Sequence, residues 1–406
     1  MTGERASAPR VAYVAYAFPV LTQTFTVREV AALRRRGLDL TVFAVRRDPA
    51  SRLDPEAAEE GGRAVYLGAA DAAAGGLSWL LRRPLRLLST LLTCLGGRYR
   101  DHALACRLRS PWHCLLGAAL ASRLAALGGF TRIHAQFVDA GSTVAFAASR
   151  LLDIPFSLTN HTAYNPFLLP AKARRATALI SISEFDRGLV LRECGAAAEG
   201  KTAVVRVGIA LADWAGLVRS PQDGRLLSVG ALREKKGHDV LLRAAAALAA
   251  QGRGVRVVIV GAGPQEPRLR ALAATLGVEA EFKGAASPQH VREEMARAEV
   301  FVLACRVAAN GDLDGIPVAI MEAMAAGVPV VSTRLSGIPE LVEDGRSGLL
   351  AEPGDAVSLA AQIARLLGDP PMAASLAAEA RRRVALSHDL ERTSRELARK
   401  LGEVAA

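Results

Sequence analysis

The sequence predicts an α/β protein with two facing Rossmann-like domains and a ligand-binding cleft between them. Short apolar runs alternate with amphipathic helical segments along the 406 residues, and this strand–helix–strand order is typical of parallel sheets. The order restarts near Arg225, and the chain is long enough for two domains. Since such sheets bind ligands at the carboxyl ends of their strands, we expect the site in the cleft.

The first half begins with a buried strand over 11–16, a loop, and a helix over 25–36 whose apolar side alternates with arginines. Gly37 ends this helix, and the next strand covers 40–45. A basic helical stretch follows. Further strands are predicted over 132–137, 156–158, 178–182 and 203–207. This half forms the first predicted domain, residues 1–215.

The second half repeats the pattern and forms the second predicted domain, residues 216–380. Its strands are predicted over 225–230, 255–260, 278–283 and 300–304, and Val328-Pro-Val-Val leads into a further buried strand. Its helices are predicted over 237–250, 267–276, 288–296 and 356–367. The joint lies within 208–224, where Pro221, Asp223 and Gly224 cluster. Residues 381–406 are predicted to form one charged helix that packs back toward the first domain.

Composition narrows the class of protein. No apolar run reaches the roughly 18 uncharged residues of a membrane span, and the polar N-terminus does not resemble a leader. The five cysteines are scattered, with no Cys-x2-Cys pair, so neither a zinc site nor a disulfide framework is expected. We therefore expect a cytoplasmic protein.

The net charge of +11 is uneven along the chain. Residues 1–215 contain 27 Lys and Arg against 17 Asp and Glu, whereas the remainder contains 24 against 23. Residues 76–132 contain nine arginines and one acid, Asp101, interleaved with Leu and Trp. This stretch fits the anionic inner face of a membrane or a solvated helical surface. No recognised nucleic-acid motif is present, so nucleic acid is not an expected partner.

Two carboxylates lie eight positions apart, in Asp314-Gly-Ile-Pro-Val-Ala-Ile-Met-Glu322. Pro317 suits the first position of a helix and Gly327 its end. Asp314 then lies just before the helix and Glu322 inside it, roughly 12 Å away along the axis. This separation fits one carboxylate on a sugar ring and the other on the ribose of a nucleotide-sugar. The simpler alternative for Asp314 is a capping role.

A cationic loop follows the strand at 225–230 and precedes a helix. Side chains and helix N–H groups of such a loop bind diphosphate, with Lys236 as the main charge and Arg233 or Lys235 in support. The predicted donor-binding residues are Gly230, Arg233, Lys235, Lys236, Gly261, Gly263, Gly315, Ile316, Pro317, Val318 and Glu322. Gly261-Ala-Gly263-Pro lacks the third glycine of a dinucleotide fingerprint, so it also fits a simple tight turn.

Two histidines and one Asp-x-Asp pair are further candidates for a chemical role. His161 follows the strand near Phe156, where an imidazole can polarise a sugar hydroxyl or contact phosphate, although lone histidines are often structural. His134 lies within a strand and is expected to be packed. Asp312 and Asp314 superficially form an Asp-x-Asp metal pair, but no completing acids are evident, so no metal is expected.

Taken together, these segments resemble the retaining GT-B glycosyltransferases of family four. The resemblance rests on Glu234-Lys-Lys-Gly-His, Val260-Gly-Ala-Gly-Pro, Gly315-Ile-Pro…Glu322-Ala-Met-Ala and Ser336-Gly-Ile-Pro-Glu in the family's order. Phe18-Pro-Val-Leu-Thr-Gln-Thr-Phe, His134-Ala-Gln-Phe and Asn160-His161-Thr-Ala resemble exopolysaccharide members of the colanic-acid type.

The resemblance implies a hexosyltransferase that retains anomeric configuration, requires no metal or other cofactor, and moves a sugar from a UDP- or GDP-sugar to a lipid-linked, polysaccharide or natural-product acceptor. It implies that the first domain binds the acceptor and that the second binds the nucleotide-sugar donor. It also implies catalytic roles for His161, Asp314 and Glu322, with Glu322 on the donor ribose. Asp314 stands where the family has Glu, and Ala231 where it has Arg. The alternatives are an epimerase-like enzyme of this fold, or a non-catalytic partner subunit with a decayed phosphate loop.

Overall fold

The computed structural model describes residues 9–49, 54–96, 103–161 and 168–402, with only the backbone of 103–106. The chain divides into two compact units. The first is Met1–Val205 with Thr393–Ala406, and the second is Arg206–Arg392. The division lies ten residues before the predicted boundary at 215. The reason is that Ile209 already pairs within the second unit, since its N–H donates to His388 O at 2.8 Å.

Within the described residues, the first unit has one parallel sheet in the order β3-β2-β1-β4-β5-β6-β7. Its strands are β1 (Arg10–Ala17), β2 (Asp39–Arg46), β3 (Val65–Tyr66), β4 (Phe130–Gln136), β5 (Phe156–Asn160), β6 (Ala176–Ser181) and β7 (Thr202–Val204). Its helices are α1 (Thr24–Arg35), α2 (Pro55–Arg63), α3 (Ala69–Arg82), α4 (Pro84–Gly96), α5 (Ala103–Leu127), α6 (Ala140–Leu152), α7 (Leu169–Arg175) and α8 (Glu184–Cys194).

The second unit has a parallel sheet in the order β10-β9-β8-β11-β12-β13 within the described residues. Its strands are β8 (Arg225–Val229), β9 (Arg256–Val260), β10 (Ala280–Phe282), β11 (Val300–Val302), β12 (Val330–Thr333) and β13 (Leu349–Ala351). The helices from here to the end of the described chain are α9 (His238–Ala250), α10 (Glu266–Leu276), α11 (Pro288–Arg297), α12 (Val318–Ala326), α13 (Ile338–Leu341), α14 (Ala356–Gly368), α15 (Pro370–Ser387) and α16 (Leu390–Gly402).

Both sheets confirm the predicted fold class of two Rossmann-like α/β domains. Their central strands are buried along most of their length, as expected for strands covered by helices on both faces. In each sheet the order reverses beside the first strand: β1 lies between β2 and β4, and β8 lies between β9 and β11. Loops after these strands therefore lie where such folds bind ligands.

The end of the chain differs from the prediction of one helix over 381–406. Helix α15 ends at Ser387, and α16 begins at Leu390. His388 is buried between them, and its Nδ1 lies 2.9 Å from Val207 O. From Thr393 onward, α16 belongs to the first unit, where Leu397 and Leu401 join the apolar core formed with Val27 and Val30.

Candidate active site

The loop between β8 and α9 is fixed by backbone contacts with the loop after β9. Gly230 N–H donates to Val260 O at 2.9 Å, and Leu232 N–H donates to Ala262 O at 3.0 Å. A Cβ at Gly263 would lie 2.6 Å from Leu232 O, and one at Gly261 would lie 1.9 Å from Gly230 O. These glycines therefore let two loops at the carboxyl edge pack directly against each other.

The cationic residues follow in one short 3-10 turn, Glu234–Lys236. Gly237, the residue before α9, has a φ of 65°. A Cβ there would lie 1.7 Å from Ala304 O, so no other residue fits without displacing the backbone after β11. Because β8 and β11 are neighbours in the sheet, this close contact brings the turn beside the segment that carries Asp314.

Lys235, Lys236 and Asp314 form one ion-paired cluster. The Lys236 ammonium lies 2.7 Å from Asp314 Oδ2, and the Lys235 ammonium lies 3.3 Å from Asp314 Oδ1. Lys235 also lies 3.1 Å from Asp312 Oδ1. The cation that lies between the two aspartates is therefore the Lys235 ammonium, in the position that the Asp-x-Asp spacing would offer to a metal ion.

The cluster is largely buried, and its charges stabilise each other. Side-chain exposure is 14% for Asp314, 16% for Lys236 and 17% for Lys235. Burial raises the pKa of Asp314, but Lys236 and Lys235 outweigh burial and leave that pKa below its usual value. Burial likewise lowers the pKa of Lys236, and Asp314 reverses this to leave the pKa above its usual value. Asp314 and Lys236 are thus both charged at neutral pH.

Ser336 supports the segment that carries Asp314. Its hydroxyl donates to Asp314 O at 2.5 Å and to Gly315 O at 2.7 Å. Ser336 has a φ of 48°, in the left-handed region that residues other than Gly, Asn and Asp rarely occupy. The sequence marked Ser336 only as part of the Ser-Gly-Ile-Pro-Glu motif, and its contact with the acidic segment is visible only in the fold.

Arg233 differs from the two lysines. Its side chain is exposed and forms no ion pair with any described residue. Glu234, by contrast, pairs with Arg306 at 3.3 Å, and Arg306 also pairs with Asp239 at 3.1 Å. Arg233 is therefore the loop cation that faces solvent with its full charge uncompensated.

Helix α12 carries the second predicted carboxylate. The sequence predicted Pro317 as the first residue of this helix. The helix begins at Val318, so Pro317 is the residue before it. With ψ of 125°, Pro317 has extended backbone. Gly315, Ile316 and Pro317 are buried, Val318 and Glu322 are half-buried, and apolar residues surround Glu322 on the helix. Gly327 ends the helix with φ of 70°, as predicted.

His161 belongs to the first unit, at the carboxyl end of β5. It lies in an aromatic cluster, with ring centroids 4.6 Å from Phe137 and 5.1 Å from Phe25. Burial, with a smaller effect of His134, lowers the pKa of His161 to about 3. The imidazole is therefore neutral at physiological pH and suited to hydrogen bonding rather than to acid catalysis. The rest of its motif, residues 162–164, lies outside the described residues.

His134 is packed, as the sequence predicted. Its Nδ1 lies 3.0 Å from Ser157 Oγ and its Nε2 lies 3.2 Å from Thr159 Oγ1. No motif pointed to a nearby carboxylate, Glu29, which the fold brings to the end of β4. Its only sequence signal is a position four residues after Phe25, which puts both on one face of α1.

Residues 216–383 match the family described as Glycosyl transferases group 1. The putative colanic acid biosynthesis glycosyltransferase WcaL of Salmonella typhimurium is 40% identical over 230 residues, which are 55% of this chain and 56% of WcaL. The amylovoran biosynthesis glycosyltransferase AmsK of Erwinia amylovora is 44% identical over 144 residues, or 35% of each chain. The matched segments thus span about half of WcaL and a third of AmsK.

Among solved structures, Anabaena HepE in complex with UDP and glucose is similar over 98% of this chain and 100% of its own. The TM-score is 0.74 and the sequence identity is 19%, so this similarity concerns the fold. Over residues 216–383 the chain therefore matches the group 1 glycosyl transferases, and its two sheets have the GT-B fold.

Proposed function

We propose that this protein is a retaining glycosyltransferase that moves a sugar from a UDP- or GDP-sugar to a lipid-linked, polysaccharide or natural-product acceptor. The observation that carries the proposal is the buried Lys235–Lys236–Asp314 cluster at the carboxyl edge of the second sheet, inside the segment that matches the family. The relatives in colanic acid and amylovoran biosynthesis support an exopolysaccharide pathway.

The donor diphosphate binds beside this cluster in the proposed mechanism. Arg233 supplies an uncompensated charge, and Lys236 supplies a second one once the diphosphate competes with Asp314 for its ammonium. Negative charge grows on the leaving diphosphate as the glycosidic bond breaks, so these cations stabilise the transition state more than the bound donor. Arg233 thereby takes the place of the arginine that the family has at Ala231.

The transferred sugar passes through an oxocarbenium-like state. In this proposal Asp314 contacts that sugar, Glu322 binds the donor ribose, and the neutral His161 hydrogen-bonds to the reacting sugar. The ammonium of Lys235 already bridges Asp312 and Asp314, so we propose that the reaction requires no metal at this pair.

The test is turnover of nucleotide-sugars by the purified protein. We expect slow hydrolysis of at least one member of a panel of UDP-, GDP- and ADP-sugars, with the released sugar in the donor's anomeric configuration. An epimerised nucleotide-sugar as product would favour the epimerase-like alternative. Binding without any turnover would favour a non-catalytic subunit, and failure to bind any of the nucleotides would refute the proposal.

We also propose that α3, α4 and α5 rest on the anionic inner surface of a membrane. Ten of the fifteen exposed large apolar side chains in the described part of the chain lie within these helices: Leu77, Leu80, Leu81, Leu85, Leu88, Leu92, Leu95, Leu108, Trp112 and Leu127. Those of α4 recur at intervals of three and four residues, so they share one face. Arg82 and Arg83 are exposed beside them. An apolar face next to arginines is typical of interfacial helices.

No described helix is long and apolar enough to cross a membrane. Surface association is tested by sedimentation with phosphatidylglycerol and phosphatidylcholine vesicles. We expect binding to the anionic vesicles, reduced at least tenfold by Arg82→Gln with Arg83→Gln, since each basic residue contributes about 1 kcal/mol. Arg86 is left unchanged because it also donates to Leu151 O at 3.1 Å. If the double variant bound the anionic vesicles as tightly as wild type, these helices would instead be a solvated surface. Arg365→Gln, which removes one arginine of the second unit, is the control and should not change vesicle binding.

A further inference from the structure

A second polar cluster lies at the carboxyl edge of the first sheet, apart from the residues used above. Glu29 on α1 accepts hydrogen bonds at Oε1 from Tyr13 Oη at 2.8 Å and from Gln136 Nε2 at 3.3 Å. Tyr13 lies on β1 and Gln136 is the last residue of β4, and both are fully buried. Two neighbouring strands therefore hold the Glu29 carboxyl group in a fixed position.

Glu29 has no cationic partner among the described residues. This is unusual in a chain with 51 Lys and Arg against 40 Asp and Glu, because a carboxylate removed from water is costly unless it is paired. Burial accordingly raises the pKa of Glu29 to about 7. The residue as a whole is half-buried rather than fully enclosed, so part of it faces the outside.

Two acceptor atoms of this cluster lack a hydrogen-bond donor among the described residues. Oε2 of Glu29 forms no hydrogen bond within the described part of the chain, and Oε1 of Gln136 is buried without a donor there. A buried polar atom without a partner costs about 1–3 kcal/mol, and natural folds rarely keep one without a reason. Two acceptors that lack donors fit a ligand that carries several hydroxyl groups.

Aromatic rings adjoin the cluster. Phe25 is one helical turn before Glu29 on the same face of α1, and its ring centroid lies 6.2 Å from that of Phe137. His161 contacts both rings, and its Nε2 is buried without a hydrogen-bond partner among the residues that the structure describes. Phe137 has φ of 70°, a strained conformation for an aromatic residue and one that concentrates at ligand sites.

We propose that Glu29, positioned by Tyr13 and Gln136, binds a hydroxyl group of a sugar acceptor whose ring lies beside Phe25 and Phe137. A pyranose offers both the hydroxyl donors that the acceptors lack and an apolar ring face, and sites of this kind combine apolar walls with a few fixed polar groups. This inference rests on the proposed function, because it takes the first unit to receive the acceptor.

The experiment measures binding of short sugar probes separately from binding of the nucleotide. Octyl glucoside, octyl galactoside and octyl mannoside, each below its micelle concentration, are titrated into UDP-loaded protein by saturation-transfer NMR. We expect at least one probe to bind, and Glu29→Gln to weaken it about tenfold, as for the loss of a hydrogen bond to a charged group. UDP affinity should remain within about twofold, because Glu29 lies outside the donor cluster.

Two further variants test whether the loss of probe binding is specific to the Glu29 carboxyl group. Glu59→Gln removes an exposed carboxylate of the first unit, paired with Arg63 at 2.6 Å, and should leave probe binding unchanged. Tyr13→Phe keeps the ring but releases the Glu29 carboxyl group, and should weaken binding in the same direction as Glu29→Gln.

The inference would be overturned if Glu29→Gln bound the probes as tightly as wild type, or if Glu59→Gln lost as much probe affinity as Glu29→Gln. It would also be overturned if wild-type protein bound UDP but none of the probes. Failure to bind UDP, by contrast, would count against the donor site and the proposed function, and probe binding without UDP would still report on Glu29.

Discussion

Replacement of Asp314 by Asn tests the charged cluster of the second unit most directly. Among the described residues, Asp314 is the only carboxylate that pairs with Lys236. Lys235, in contrast, would still have Asp312 at 3.1 Å. Asn has nearly the same shape, so the variant removes the charge while leaving the packing of the segment intact.

The expected loss of stability follows from burial. Removing one member of a buried ion pair costs about 3–5 kcal/mol, because the other charge is left unpaired. The exposure of about one-sixth on each side chain and the remaining amide oxygen reduce this to about 2–3 kcal/mol. The second unit spans 187 residues, 206 to 392 inclusive, and for this size 1 kcal/mol shifts the Tm by about 2–4 °C. We therefore expect a fall of about 4–12 °C.

The pH dependence has a definite sign. Because the folded pKa of Asp314 lies below its usual value, its contribution is fully present above the pKa of the unfolded state and is lost as pH falls through the folded pKa. The difference between wild-type protein and Asp314→Asn should therefore be constant near neutrality and shrink in acid. Scanning calorimetry at pH 7.5 and at stepwise lower pH measures both.

UDP provides the second half of this test. The diphosphate can replace the missing carboxylate as the partner of Lys236, so saturating UDP should raise the Tm of Asp314→Asn more than that of wild type. Asp312→Asn is the matched control, with an expected loss below about 1 kcal/mol because its ion pair is more exposed. Lys236 is assigned first to Asp314 and then to the diphosphate. This assignment would be refuted if Asp314→Asn unfolded within 1 °C of wild type, or if UDP raised the Tm of Asp314→Asn by less than it raises that of wild type.

Three other predictions concern separate parts of the molecule. Glu322→Gln and Lys236→Ala should each lower turnover of the accepted donor by 10²-fold or more in steady-state assays; near wild-type rates for both would show that the site is misplaced. Gly263→Ala should destabilise the protein by about 1–3 kcal/mol in urea unfolding, because its Cβ would lie 2.6 Å from a backbone oxygen. Gly254→Ala, which meets nothing within 4 Å, should be neutral, and equal effects would contradict the close approach. Glu29 has a folded pKa raised to about 7 from 4.5, so it should cost up to about 3 kcal/mol of stability as pH rises between those values. Relative to wild type, Glu29→Gln should gain stability from pH 5 to pH 8, and a flat difference would contradict the raised pKa.

Several features of the second unit followed from the sequence because local physics specifies them. Apolar runs of five residues between amphipathic segments predict buried parallel strands, and the strand over Arg225–Val229 was found one residue shorter than predicted. Gly327 ends α12 because its φ of 70° suits glycine. Pro317 was misplaced by one position, since proline is tolerated equally well just before a helix, and local propensity does not separate the two cases.

The domain joint and the last helix were harder to predict for a common reason. Turn residues such as Pro221 and Gly224 mark a loop, but they do not say to which unit the loop belongs. Pairing of Ile209 with His388, 179 residues later, assigns the segment after Val205 to the second unit. Burial of His388 similarly separates α15 from α16, although the flanking sequence is compatible with a continuous helix.

The sequence by itself determined the two α/β halves, the glycine turns and the cationic loop, because each depends on residues close together along the chain. Only the tertiary structure decided which charges meet. Lys236 and Asp314 are 78 residues apart and pair because β8 lies beside β11, and Glu29 meets Tyr13 and Gln136 because β1 lies beside β4. Strand order is set by packing of the whole sheet, so no local pattern contains it, and the partners of Lys236 and Glu29 come from that order.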